Sequence, residues 1–286
     1  MRSFFLPRAV AVHLPVRLSL ASLTLGMLLG GCAPQQAAST DAAQRQLTDQ
    51  TVNSVNWMQQ SGEFSALSYQ AFNTAETAFT QAKAAPGRQK AVVVDLDETM
   101  IDNTAYAGWQ IKHHQPFSDA TWSKWTQARQ AKALPGAVEF SHYVIAHGGR
   151  IFYVSNRDQA DFAATVDNLK ALGFADVGPQ TLLLKPTGGG SNKTARFSQV
   201  ERQGYDIVVY AGDNLNDFSG EPYHKLNTQR RDFVNRHQEE FGHKYIVLPN
   251  PSYGDWEGGM AKDYWPAGAA EKVKIRQDKI DAWNGK

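Results

Sequence analysis

The chain has 286 residues, with 29 Lys and Arg against 28 Asp and Glu, and a single cysteine. So near-neutral a balance lacks the basic footprint that duplex nucleic acid requires, and one cysteine excludes an internal disulfide. The length suffices for one large α/β domain carrying an insertion, and no internal repeat is visible.

The first segment is not part of the fold. Residues 1–31 carry Arg2, Arg8 and Arg17, no acid, and an apolar run of signal-peptide length. The run ends in Leu29-Gly30-Gly31-Cys32, which resembles a bacterial lipobox and so implies lipidation of Cys32 as the mature N-terminus. A membrane-spanning anchor with a chance cysteine is the alternative, but the stretch from Arg17 to Cys32 is short for a span and broken by glycines. No ligand set surrounds Cys32, which speaks against zinc. In lipoproteins of this kind Ala33, where an acid is absent, implies the outer membrane, and several acyl chains on one cysteine anchor firmly. Without residues 1–31 the balance is 26 basic to 28 acidic residues, a net charge of −2.

Residues 32–50, polar and rich in Ala and Gln, read as a lipidated tether, and 51–286 as the folded domain. A helical lead-in covers 51–85: Phe64, Leu67, Phe72 and Phe79 recur at near-helical spacing until Pro86-Gly87 stops them. Short apolar runs then alternate with helical stretches. "AVVVDL" precedes a Trp-rich helical insertion, a cap at about 104–134, and "GRIFYVSNR" precedes a helix at 158–172. "TLLLK" leads to "NKTARFSQVERQ", "DIVVYAGD" to a helix within 222–241, and "KYIVLPN" to a last helix near 269–283. Continuous β-branched runs alternating with helices predict a doubly wound α/β fold with a mostly parallel sheet covered on both faces. Its ligand crevice belongs beyond the carboxyl ends of the strands.

Those ends carry Asp95, Asp97 and Thr99, then Ser155 and Asn156, then Asp213 with Asp217 beyond; Lys193 opens a helix after a glycine-rich turn. Four aspartates in one crevice repel one another, and a hard divalent cation relieves the repulsion. Oxygen ligands without His or Cys favour Mg²⁺ over zinc. A phosphate would meet that cation, Lys193 and helix-start amides together. Each piece has a plainer explanation alone, because Asp, Asn, Ser and Thr also cap helices and turn chains. An EF-hand is excluded, since Thr99 and Met100 stand where a ligand and a glycine are needed. A Walker loop is excluded by Asn192 in the place of its last glycine.

Taken together, "DLDET", "SNR", Lys193 and "GDNLNDF" resemble the four motifs of haloacid-dehalogenase-type (HAD) phosphatases. More narrowly, "VVVDLDETMIDNTAY" and "IVVYAGDNLNDF" resemble the paired signatures of class C acid phosphatases, bacterial lipoproteins that include outer-membrane 5′-nucleotidases acting on nicotinamide mononucleotide. The resemblance implies Asp95 as the nucleophile forming an aspartyl-phosphate and Asp97 as the proton shuttle. It implies Mg²⁺ held by Asp95, the Asp97 backbone carbonyl and Asp213, with Asp217 supporting the metal site through water or Lys193. Thr99, Ser155, Asn156 and Lys193 would hold the phosphoryl oxygens. By offset from the motifs, Trp122 and Tyr253 match the pair that sandwiches the substrate ring, and stacking tolerates many rings, so specificity among nucleoside monophosphates should be relaxed. A homodimer is implied by the resemblance alone. Broad action on aryl or sugar phosphates, and a non-catalytic surface lipoprotein, are the alternative readings. Glu98 fits the motif without a role.

Overall fold

The run of apolar residues before Asp95 forms β1 (Gln89–Val94), the middle strand of a five-stranded, all-parallel sheet. The computed structural model describes residues 33–286, with side-chain surroundings from Asp41 onward; residues 1–32, with the leader and Cys32, lie outside the described residues. Around β1 stand β4 (Arg150–Asp158) and β5 (Leu182–Lys185) on one side, β6 (Tyr205–Gly212) and β7 (Tyr245–Val247) on the other, in the order β5-β4-β1-β6-β7. The chain leaves β1 toward β4 and β5, then returns across it to β6, so the winding direction reverses at β1. This is the doubly wound α/β architecture expected.

Alternation along β1 assigns the two layers. Val92 and Val94 enter one core, built with Phe72, Phe79 and Phe140 from α3 (Gly62–Gln81) and α6 (Ala137–Ala146) and with Leu169 of α7 (Phe162–Leu172). Ala91 and Val93 enter the other, with Phe197 of α8 (Thr194–Arg202) and Phe233 of α9 (Asn227–Arg236). Both faces being covered, the strand needs no polar side, which is why its sequence is a run of valines. Each such buried side chain stabilises the fold by roughly 1.5–3 kcal/mol.

The insertion enters and leaves through a two-residue antiparallel ladder, β2 (Ile101–Asp102) with β3 (Lys132–Ala133). Between them lie α4 (Thr104–His113) and α5 (Asp119–Ala128), the expected cap. Ser118 starts α5 by accepting from the Thr121 amide at 3.2 Å.

Three segments differ from expectation. The stretch read as a tether is helical: α1 (Ala33–Asp49) buries Ala43, Leu47 and Thr48. Alanine-rich polar sequence resembles a linker in composition, but alanine is also the best helix former. The lead-in is divided, with α2 (Val52–Gln60) preceding α3, whose N-terminus Ser61 caps by accepting from the Phe64 amide at 3.1 Å. α6 was not anticipated: it buries the stripe Ala137, Phe140, Ser141 and Val144, but Val138, Tyr143, Ile145 and Ala146 make its other faces apolar too and blur the period. Two helices close the chain, α10 (Asp255–Gly258) and α11 (Ala269–Asp278). Among the described residues no helix is long and apolar enough to cross a membrane.

Candidate active site at the carboxyl edge of the sheet

β1 ends at Val94, and the Asp95 amide continues its ladder by donating to the Ala211 carbonyl at 2.9 Å. The chain then turns tightly around the Leu96 carbonyl, which accepts from the Met100 and Ile101 amides at 2.9 Å each. Leu96 is fully buried and pins the loop. Asp95, Asp97 and Glu98 are thereby held against the ends of β4 and β6.

Asp95, Asp213 and Asp217 gather into one group, each offering a carboxylate oxygen with all three oxygens inside 4.8 Å. Gly212 makes this possible: a Cβ there would stand 2.3 Å from the Asp217 Cβ, so only glycine lets the 3-10 turn at 215–217 fold back on β6. Lys193 Nζ, itself buried, ion-pairs with Asp95 and, at 2.7 Å, with Asp217. Asp217 also accepts from the Asn214 amide at 2.9 Å. Asp213 accepts from Asn250 Nδ2 at 2.8 Å and from the Thr99 hydroxyl at 3.3 Å.

The charges do not balance within this group. Burial raises the Asp95 carboxyl to about 7, with Lys193 opposing and Asp217 and Asp97 adding to the rise. Burial, then the Asp217 and Asp95 carboxylates, push Asp213 well above the usual carboxylate range. Burial lowers Lys193, but Asp217 and Asp95 outweigh it and its pKa ends raised. Three crowded carboxylates with one ammonium leave an excess of oxygen donors and negative charge, and no His or Cys belongs to the set. That donor chemistry fits a hard divalent cation. Asp217 is thus a candidate ligand in its own right as well as the Lys193 partner foreseen for it.

Asp97 lies outside that group. Its Oδ1 accepts from Arg157 Nη2 at 2.8 Å, Arg157 Nε at 3.0 Å and Asn103 Nδ2 at 2.9 Å, and its Oδ2 from the Ser155 hydroxyl at 3.2 Å. Arg157 is fully buried, and its guanidinium lies 5.6 Å from the Trp122 ring centroid. Asn103 is the hub of this corner: its Oδ1 also accepts from Trp125 Nε1 at 2.8 Å and from Arg157 Nη2 at 3.2 Å, while its amide donates to Glu98 Oε1 at 2.8 Å.

The expected phosphate ligands are near, and most of their polar atoms are committed. Ser155 donates to Asp97 and accepts from the Arg157 amide at 3.1 Å. Asn156 is exposed, and its Oδ1 accepts from Arg196 Nη2 at 2.6 Å. Arg196 also donates to the Ser155 carbonyl through Nη1 at 2.5 Å, so the first turn of α8 braces the end of β4. Tyr253 is 42% exposed, with its hydroxyl donating to Glu98, and Trp122 packs edge-on against Tyr106 at 5.1 Å. Each ring is thus one contact from a residue bonded to Asp97 or Asn103.

Sequence reasoning missed Arg157, Arg196, Asn103 and Asn250. The first three stand inside or beside quoted motifs, and a charge count would have exposed the arginines: five acids facing one lysine need more cations.

Such an edge, acidic and cation-seeking at the switch point of a parallel sheet, is a class of site suited to phosphate chemistry. The model of the HAD superfamily, subfamily IIIB (acid phosphatase), matches residues 17–256, and the chain belongs to that family. It is similar to the class C acid phosphatase from Bacillus anthracis, 36% identical with a TM-score of 0.78 over 83% of this chain and 99% of that one. A structure of the Bacillus anthracis class C acid phosphatase with tungstate bound matches at 33% identity and a TM-score of 0.77, covering 83% of this chain and 99% of that one. Acid phosphatase 1 of Solanum lycopersicum is 26% identical over 167 residues, 56% of this chain and 57% of that one. The chain therefore spans little more than half the length of that curated relative.

Proposed function

We propose that the protein is a Mg²⁺-dependent acid phosphatase that hydrolyses phosphomonoesters through an aspartyl-phosphate on Asp95, with nucleoside monophosphates and nicotinamide mononucleotide among its substrates. The observation that carries this reading is the group of buried Asp95 and Asp217 and half-buried Asp213, with Lys193 on Asp95 and Asp217, at the switch point of the sheet. Tungstate on the Bacillus anthracis relative supports it, since tungstate has the shape and charge of a phosphate.

Asp95 Oδ attacks phosphorus as the bond to the leaving oxygen breaks, and a proton from the Asp97 carboxyl neutralises that oxygen. In the second half, Asp97 takes a proton from water, the water oxygen bonds to phosphorus, and the Asp95 acyl-phosphate bond breaks. Four hydrogen bonds, from Arg157, Asn103 and Ser155, fix the orientation of the Asp97 carboxyl. Mg²⁺ on Asp95, Asp213 and Asp217 would supply the positive charge that lets an anionic nucleophile meet an anionic phosphate. Lys193 opposes the rise in the Asp95 pKa and aims its carboxylate, and Arg196 fixes the β4 end that carries Ser155 and Asn156. Trp122 and Tyr253 border the leaving-group side and would stack a planar base.

The location follows from the lipobox reading: lipidation of Cys32 would hold the domain at the outer membrane, with α1 beginning directly after it. Release of phosphate from nicotinamide mononucleotide, adenosine monophosphate and an aryl phosphate, in Mg²⁺ and in EDTA, tests the proposal. Turnover that EDTA abolishes and that Asp95→Asn lowers by about 10³-fold or more is expected. Full turnover by Asp95→Asn would sink the aspartyl-phosphate. A preference for the aryl ester over both nucleotides would favour the broad phosphatase reading.

A further inference from the structure

We infer that Glu98 is a positioning residue that latches Tyr253 over the leaving-group side of the site and so sets the preference for aromatic leaving groups. The inference rests on the proposed stacking role of Tyr253 and explains an acid to which the catalytic scheme gives nothing to do.

Glu98 is 1% exposed, adjoins Asp97, and holds a left-handed backbone conformation with φ 58°. A non-glycine residue rarely adopts that conformation, and it persists only where the surroundings hold it. Here it turns the carboxylate inward, where both oxygens are used. Oε1 accepts from the Asn103 amide at 2.8 Å, which ties it to the hub beneath Asp97, and Oε2 accepts from the Tyr253 hydroxyl. The Glu98 amide donates to the Ile101 carbonyl at 2.8 Å, so the loop around the carboxylate is closed.

The ring at the other end is exposed in a loop that is itself tied to the site. Asn250 donates to Asp213 at 2.8 Å, and its Oδ1 accepts from the Ser252 amide at 3.0 Å and the Ser252 hydroxyl at 2.7 Å. Gly254 follows with φ 153°, where a Cβ would meet the Trp256 ring at 2.8 Å. The loop therefore has two attachments to the site, Asn250 at the cation group and Tyr253 at Glu98. Only the second fixes the angle of the ring. An exposed tyrosine gains little from packing, and stacking requires a fixed face, so the hydroxyl anchor is what preorganises it.

Three variants of the full chain, assayed with Mg²⁺ on adenosine monophosphate and on glycerol phosphate, test this. The readout is the ratio of kcat/KM for the two substrates, resolved into KM and kcat. Tyr253→Ala removes the ring and should collapse the ratio. Tyr253→Phe keeps the ring and removes only the hydroxyl; the ratio should fall about three- to tenfold through the KM for adenosine monophosphate. Glu98→Met should reproduce that fall, and the double variant Glu98→Met with Tyr253→Phe should be no worse than either alone. A wild-type ratio in Tyr253→Phe beside a collapsed ratio in Tyr253→Ala would overturn the latch and leave the stacking standing. An unchanged ratio in Tyr253→Ala would remove both. Additive losses in the double variant would also overturn the latch, and if Glu98→Met fails to fold, Tyr253→Phe decides alone.

Discussion

Asp97 carries the most demanding assignment at the scale of single residues, because a proton shuttle must change charge state while its surroundings stay fixed. Arg157 gives it two N–H bonds that converge on Oδ1, from a guanidinium with no access to solvent. Lysine cannot reproduce that fork, and glutamine removes the charge. Arg157→Gln therefore leaves Asp97 chemically able to shuttle protons but poorly aimed. A nitrophenolate leaves without a proton, whereas the alkoxide of a nucleoside does not. Loss of kcat/KM should accordingly be about tenfold to a hundredfold on adenosine monophosphate and several-fold smaller on nitrophenyl phosphate. Equal losses on the two substrates would show that Arg157 serves only the fold. Asn103 belongs to the same corner, with both polar atoms of its side chain used, so its substitution would disturb Asp97, Arg157 and Trp125 together.

Among elements, the cap is held by few but specific bonds, and these decide where Trp122 stands. α5 docks through Ser123 Oγ and Gln127 Nε2, which donate to the buried Asp161 Oδ1 at 2.8 and 2.7 Å, and through Trp125 on Asn103. α4 is braced from behind by α2, where Gln59 Nε2 donates to the Thr104 carbonyl at 3.1 Å. Asp161→Ala strands two donors at that joint and should cost about 1–3 kcal/mol. Thermal unfolding would then fall by roughly 2–10 °C, and the KM for adenosine monophosphate should rise as Trp122 loses its support. Unchanged melting would mean that the cap is held elsewhere. Much of this architecture was legible beforehand, for a reason particular to each element. β1, β5 and β6 are buried on both faces and so read as unbroken apolar runs, and the carboxyl-edge rule then selected Asp95, Asp97, Asp213 and Lys193. α6 was hidden because apolar Val138, Tyr143 and Ile145 lie outside its buried stripe and blur the period. α1 was hidden because its Ala and Gln content is that of a linker. The arginine contacts were hidden for a different reason: Arg157 and Asp97 are 60 residues apart in sequence, and no local pattern announces a partner at that distance.

For the whole molecule, the acidic edge should make stability depend on pH and, if it binds the proposed cation, on that cation as well. Asp95 is raised to about 7 and Asp213 well above its usual value, burial being the largest cause for each. Glu98 is raised to about 8, again chiefly by burial and then by Asp97. A carboxyl whose folded pKa lies above its unfolded value binds its proton more tightly when folded. Its stabilising contribution is therefore complete below about pH 4 and is lost as pH rises through the folded value. Between about pH 4 and 8 in EDTA these groups should lower stability by on the order of 1 kcal/mol per pH unit for each group titrating in that range. Lys193 does not enter this window, since its pKa is raised from an already high value. A cation bound there would compete with the protons for the same oxygens, so its binding should tighten as pH rises. The increase in melting temperature on replacing EDTA by saturating Mg²⁺ should be several degrees larger at pH 7.5 than at pH 5. Asp213→Asn removes one of the repelling charges and one of the candidate ligands together. In EDTA at pH 7.5 it should melt no lower than the unsubstituted chain, while its response to Mg²⁺ shrinks. A Mg²⁺ increment that is the same at both pH values, or that survives Asp213→Asn in full, would place the cation away from these three aspartates.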